Sequence, residues 1–220
     1  MNEMTATMAG PADIAESLLV RELLHRVNND FTALIGAASR ASASVDDPCA
    51  QAAIARIVEA IYAQADVNRA LQIPDAEIAV DLGAYLESLC KSISRSKLAT
   101  RNINLVLAVP QVRASSVQCW KLGMITSELI TNSVRHAFDT CGGEIRVELS
   151  DLGDLLKCCI SDNGRGTARP GSRRSGLSII TGLVSSMRGT LEQRFGGTGS
   201  STTVCFPALQ IECPSPATPS

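Results

Sequence analysis

The chain has 220 residues, room for one large domain or two small ones. Hydrophobic residues make up 45%, enough to bury a core, and a net charge of −2 leaves none of the basic footprint of a nucleic-acid binder. No apolar run approaches the ~18 residues that span a bilayer, so neither nucleic acid nor membrane is an expected partner. Residues 1–10, read as a disordered N-terminus, contain no Lys or Arg and no apolar core of a secretory signal, which gives a cytoplasmic expectation. Eight cysteines include no Cys-x-x-Cys pair. Cys158 and Cys159 are adjacent and would point to opposite faces of a strand, so small buried thiols in a reducing compartment fit better than a zinc site or a disulfide.

Residues 11–40 read as a long helix with Pro11 at its start. Val20, Leu24, Val27, Phe31 and Leu34 step by 4, 3, 4, 3, the spacing of a bundle seam. Glu22, His25 and Asn29 fall on roughly the opposite face, so His25 is expected to point outward. Residues 41–48 form a turn, and residues 49–72 a second helix with Ile54, Val58, Ile61 and Ala65 on its seam. Such an antiparallel hairpin cannot bury its seam alone. It is completed either as a four-helix bundle with a second copy or by packing on its own C-terminal domain. Ile73, Pro74 and Asp75 break the pattern, which places the domains at 11–74 and 75–208.

In the second domain Asp81 reads as the N-cap of a helix to about residue 96, and residues 103–109 as a strand. A helix with a polar stripe follows. Gly142 and Gly143 precede a strand at 144–149, and Asp151-Leu152-Gly153-Asp154 links it to a strand at 155–161 as in a β-hairpin. Residues 164–175 are a Gly-, Arg- and Ser-rich loop, residues 176–187 a helix, and residues 190–194 and 202–206 two closing strands. The Pro/Ser/Thr-rich tail, 209–220, is read as disordered. The expected class is α+β: a helical hairpin, then an α/β sandwich with a mixed, largely antiparallel sheet.

Glu128, Asn132 and His136 recur every four residues and form one polar edge of the stripe helix, while Leu122, Ile125, Leu129, Ile130 and Val134 face elsewhere. A carboxylate, an amide and an imidazole on one edge suit a hydrated Mg²⁺ and phosphate oxygens, although the spacing alone also fits a solvated face. Asp162-Asn163-Gly164-Arg165-Gly166 directly follows a strand, placing an acceptor beside backbone that a flat ligand can approach; alone it also reads as a turn. Arg165, Arg169, Arg173 and Arg174 then precede Gly176-Leu177 at a helix start, an arrangement suited to phosphate.

This order resembles the ATP-binding domain shared by gyrase, the heat-shock chaperone, histidine kinases and MutL. The resemblance runs over about residues 103–207 and includes a Gly199…Phe206-Pro207 ending like that of kinase members. It implies that Asn132 holds Mg²⁺, that Glu128 is the base or orienting carboxylate, and that Asp162 reads adenine with Gly164 and Gly166 giving room. It also implies that Arg135, His136, Arg174, Gly176 and Leu177 lie at the phosphates or in the lid. Glu22-Leu-Leu-His25-Arg26-Val27-Asn28-Asn29 resembles the His motif of a branch of bacterial two-component histidine kinases, which implies that His25 is the phosphoacceptor. The implied activity is autophosphorylation of His25 from Mg-ATP and transfer to an aspartate of a response-regulator receiver domain.

Many such kinases carry an acid after the histidine. Here the residue is Arg26, which makes Glu22 the candidate to orient the imidazole. Asn28 and Arg174 also depart from the family pattern, the latter replacing the first glycine of the lid motif. With few residues ahead of the first helix, either a separate sensor protein supplies the input or the kinase is constitutive, and the active form is expected to be a homodimer. Two other readings remain: a histidine phosphotransfer protein with a degenerate ATP-like domain, and an anti-sigma-type serine kinase, against which the His-bearing hairpin counts.

Overall fold

The computed structural model describes residues 11–74, 79–138, 142–165 and 174–209. Residues 1–10 and 210–220, expected to be disordered, lie outside the described residues, as do Gly166, Arg169 and Arg173. Helix α1 (Pro11–Ala43) and helix α2 (Pro48–Ala70) form the antiparallel hairpin. The hairpin turns where it does because the Asp47 carboxylate accepts from the amides of Cys49 and Ala50, at 3.1 and 3.3 Å, with Pro48 opening the helix.

The face of α1 that is half-buried carries Val20, Leu24, Asn28, Phe31, Ile35 and Ala38. The expected seam is therefore corrected at two positions, since Val27 and Leu34 stand 38% and 53% exposed. A strict 4,3 alternation repeats every 3.5 residues and drifts by about 20° per heptad from a straight helix. That drift of about 40° over the seam is less than the roughly 100° between neighbouring residues, so packing against α2 is what turns Asn28 and Ile35, rather than Val27 and Leu34, toward the half-buried face.

The pair β1 (Val80–Asp81) and β3 (Arg113–Ala114) is antiparallel and too short to leave a periodic signal in the sequence. Asp81 caps helix α3 (Leu82–Ile93) through the Ala84 amide at 3.0 Å, as expected. The chain then continues through a π-helical turn (Ser94–Leu98) and a short 3-10 turn (Ala99–Arg101) rather than ending near residue 96. Strand β2 (Ile103–Ala108) leads to helix α4 (Ser116–His136), which opens with a Ser115/Gln118 capping box. Strands β4 (Gly143–Asp151) and β5 (Leu155–Asp162), helix α5 (Arg174–Ser186), and strands β6 (Thr190–Gly196) and β7 (Gly199–Pro207) complete the described fold.

The five-stranded sheet has the order β2-β4-β5-β7-β6; β2 and β4 run parallel and every other pair antiparallel. Ile145, Val147 and Leu149 on β4, with Leu156, Cys158 and Ile160 on β5, bury alternate side chains. Leu86, Leu89 and Ile93 of α3, Leu122, Ile125 and Ile130 of α4, and Ile180 and Val184 of α5 join them in one core. The result is the two-layer α/β sandwich expected. Cys158 is buried while Cys159 is only half-buried on the other face, and burial pushes the thiols of Cys90 and Cys119 up to about 12. Val67 of α2 and Leu71 at its C-cap belong to the same core as α3 and α4, so packing crosses the position expected for the domain boundary.

Candidate active site

Helix α4 turns Leu122, Ile125, Leu129 and Ile130 into the core, which leaves Glu128 and Asn132 half-buried at its edge and Arg135 and His136 exposed in its last turn. Cations are favoured at that helix end, where the partial charge is negative, and Arg101 adds another by donating to the Val134 carbonyl at 3.0 Å. The start of α5 lies against this edge. A Cβ built on Gly176 would stand 2.7 Å from Glu128 Oε1 and 4.0 Å from Asn132 Nδ2. Glu128, Asn132 and Gly176, far apart in sequence, are thus brought together, with Leu177 38% exposed beside them.

A cation absent from the sequence reading stands at the same edge. Lys97, in the π-helical turn, donates to Thr131 Oγ1 at 2.9 Å. Burial lowers the ammonium pKa from its ordinary value; nearby Arg135 adds to the lowering and Glu128 opposes it.

At the end of β5, Asp162 is buried. Its Oδ2 accepts from the hydroxyls of Ser133 and Ser200 at 2.8 and 2.7 Å, and its Oδ1 accepts from the amides of Gly164 and Ser200 at 3.1 and 3.3 Å. A carboxylate has about four acceptor sites, so Asp162 is held as a fixed acceptor. An amino group of a ligand can be accepted in place of a serine hydroxyl, since either hydroxyl can rotate to a new partner. Gly164 packs so closely on the end of α4 that a Cβ would lie 2.3 Å from the Ala137 carbonyl oxygen, and the Arg165 amide donates to that same oxygen at 2.8 Å. A cavity of about 330 Å³ opens beside this junction, lined by Phe138, Asn163, Gly164 and Thr198 among others.

His25 is exposed, as expected, and lines a cleft of about 360 Å³ between α1 and α2 with Asn29, Tyr62, Asp66 and Arg69. Glu22 instead engages Arg26, with Oε1 and Nε 2.8 Å apart, and that guanidinium holds the carboxyl below the usual range. No residue of α4 lines the cleft. The cleft beside His25 is therefore not shared with the Glu128/Asn132 edge.

Ser133 and Ser200 were not singled out in the sequence. Ser133 follows Asn132 directly, and Ser200 faces Asp162 only through the β5/β7 register. The first could have been found from the stripe, but the second depends on a strand pairing that no local pattern encodes.

Residues 22–97 match a family described as histidine kinase, and residues 120–210 match the histidine kinase-, DNA gyrase B-, and HSP90-like ATPase family. Two curated relatives from Erythrobacter litoralis (strain HTCC2594) are blue-light-activated histidine kinases 2 and 1. The first is 27% identical over 86% of this chain and 57% of its own length, and the second 25% identical over 88% and 54%. The chain thus spans about half the length of the curated relatives it matches. The solved histidine kinase domain of the Erythrobacter litoralis EL346 blue-light activated kinase shares the fold, with a TM-score of 0.59 and 21% identity over 80% of this chain and 96% of that one. Among the described residues, no helix is long and apolar enough to cross a membrane. The first matched region covers most of the hairpin and runs through α3, and the second covers the sandwich from within α4 onward; together with the curated relatives they support a bacterial sensor histidine kinase.

Proposed function

We propose that this chain is an ATP-dependent protein-histidine kinase that phosphorylates its own His25 and hands the phosphoryl group to an aspartate on a response-regulator receiver domain. The observation that carries the reading is the meeting of Glu128, Asn132 and Gly176 at one edge of α4, on a helix whose next residue, Ser133, fixes Asp162. Asp162 would accept the adenine amino group, and Gly164 would let the base approach the backbone. The Asn132 and Glu128 side-chain oxygens suit Mg²⁺, a hard cation that takes oxygen ligands. Bound there, the ion would neutralise charge on the phosphates. Arg135, His136, Gly176 and Leu177 would surround them, and Lys97 would add a further positive charge at this edge; the side chain of Arg174 lies outside the described residues.

The reaction asks for position and charge neutralisation more than for covalent help. The unprotonated imidazole nitrogen of His25 attacks the γ-phosphorus, the new N–P bond forms as the P–O bond to ADP breaks, and Glu128 serves as an orienting carboxylate, which Glu22 can join only by leaving Arg26. Because no residue of α4 lines the cleft beside His25, the step requires the hairpin and the sandwich to change their relative placement. Residues 11–74 would act as the dimerisation and phosphotransfer unit and 75–208 as the catalytic unit. A homodimer is favoured by Leu19, Leu23, Val27 and Leu34, which leave an exposed apolar stripe on α1.

Incubation with γ-labelled ATP and Mg²⁺, alongside His25→Ala and Asn132→Ala, tests the reading. Acid-labile, alkali-stable label that both substitutions abolish supports it. A wild type that binds no nucleotide and takes no label overturns it.

A further inference from the structure

The cleft beside His25 carries a charge arrangement that the proposed transfer reaction leaves unused. Counting equally from the two ends of the hairpin turn, Ala43 and Pro48, sets His25 level with Asp66 across the cleft. Asp66 Oδ1 pairs with Arg69 Nη1 at 3.1 Å, and Asp66 Oδ2 lies 4.0 Å from Arg95 Nη2. Two guanidinium groups therefore share one carboxylate. On the α1 side the cation Arg26 is held by Glu22, which leaves the excess positive charge on the α2 side. Asn28 lines the same cleft, and its Oδ1 is buried without a hydrogen-bond partner.

We infer that Arg69 binds the phosphoryl group once it is on His25, with Asp66 holding the guanidinium in place until then; this rests on His25 being the phosphoacceptor. The pair is suited to exchange. Both side chains are well exposed, at 68% for Arg69 and 42% for Asp66, so water screens their attraction and the pair opens easily. A phosphoryl group offers doubly charged, forked oxygens that a planar guanidinium meets with two parallel hydrogen bonds, a stronger partner than the exposed carboxylate. Arg95 stays on Asp66 and keeps that carboxylate from repelling the new dianion.

The test uses a donor that bypasses the nucleotide site. Phosphoramidate phosphorylates histidine directly: the N–P bond to the imidazole forms as the P–N bond of the reagent breaks and ammonia leaves. The full chain is treated with phosphoramidate, and label is mapped between His25 and His136, the two histidines of the sequence. The ³¹P resonance and the lifetime of phosphohistidine at His25 are then compared in the wild type, Arg69→Ala, Arg69→Lys and the exposed control Arg56→Ala.

The expected result is a shifted ³¹P resonance and a lifetime shortened about threefold in Arg69→Ala, part recovery in Arg69→Lys, no change in Arg56→Ala, and an unchanged helical melting curve. Identical resonance and lifetime in the wild type and Arg69→Ala overturn the role of Arg69 and leave His25 as acceptor intact. Absence of label on His25 in a wild type that still binds ATP overturns both. A shifted resonance accompanied by a lowered melting temperature in Arg69→Ala, without recovery in Arg69→Lys, assigns Arg69 to packing and overturns the proposal.

Discussion

A methyl group on Gly176 would stand 2.7 Å from Glu128 Oε1, so the Glu128 carboxylate can rest against the start of α5 because that position has no side chain. Glu128 Oε1 is the far end of a flexible chain, and Gly176→Ala can be met by swinging it away. The expected outcome is unchanged or slightly higher thermal stability, because Ala is better in a helix by roughly 0.5–1 kcal/mol. Autophosphorylation is expected to fall about tenfold through lost orientation. A melting curve and initial rates of label incorporation check both; an unchanged rate would remove Glu128 from the reaction.

Asp162→Asn can keep its oxygen on the amides of Gly164 and Ser200 and turn its NH₂ to the hydroxyls of Ser133 and Ser200, which can rotate to accept. Stability is therefore expected to fall by no more than about 1 kcal/mol, while nucleotide binding should be lost because no acceptor is left for an amino group. Ser200→Ala removes one hydroxyl but leaves the other three donors, so it should keep measurable nucleotide affinity. Denaturant titration and calorimetric binding of ATP separate the two variants.

Lys97 gives a pH signature. Its folded pKa lies below 10.5, so between that lowered value and 10.5 the unfolded chain binds more protons than the folded one, and stability from this group rises with pH. Lys97→Met should flatten that rise in denaturant titrations across the alkaline range. If Lys97 also contacts phosphate, Lys97→Arg should keep nucleotide affinity while Lys97→Met weakens it.

Leu23 and Leu34 on α1 are each 53% exposed. Replacing both by Asp should change the stability of the isolated chain by no more than about 0.5 kcal/mol per site, yet convert a dimer to a monomer in sedimentation velocity. A wild type that is already monomeric at high concentration would remove the bundle as the completion of this hairpin.

The sandwich was legible wherever short-range physics decides the outcome. Asp81 capped its helix, the Leu152-Gly153 turn joined two alternating strands, and the α4 stripe kept Glu128 and Asn132 together. What escaped the sequence depends on distant chain segments. The Ser200 contact needs the β5/β7 register, and Lys97 reaches Thr131 only because the chain passes through a π-helical turn. On α1 the reading missed which residues face α2, since Val27 and Asn28 are one position apart and packing, not periodicity, selected the amide.

The burial of Val67 and Leu71 in the sandwich core means that α2 is anchored at one end only. Amide protons near its last turns should exchange with solvent as slowly as those of α3, while those near Pro48 exchange through fraying of the hairpin turn. A twist or tug applied at the turn would then be delivered at Leu71 as a lever acts on its fulcrum, beside the helices that carry the nucleotide edge.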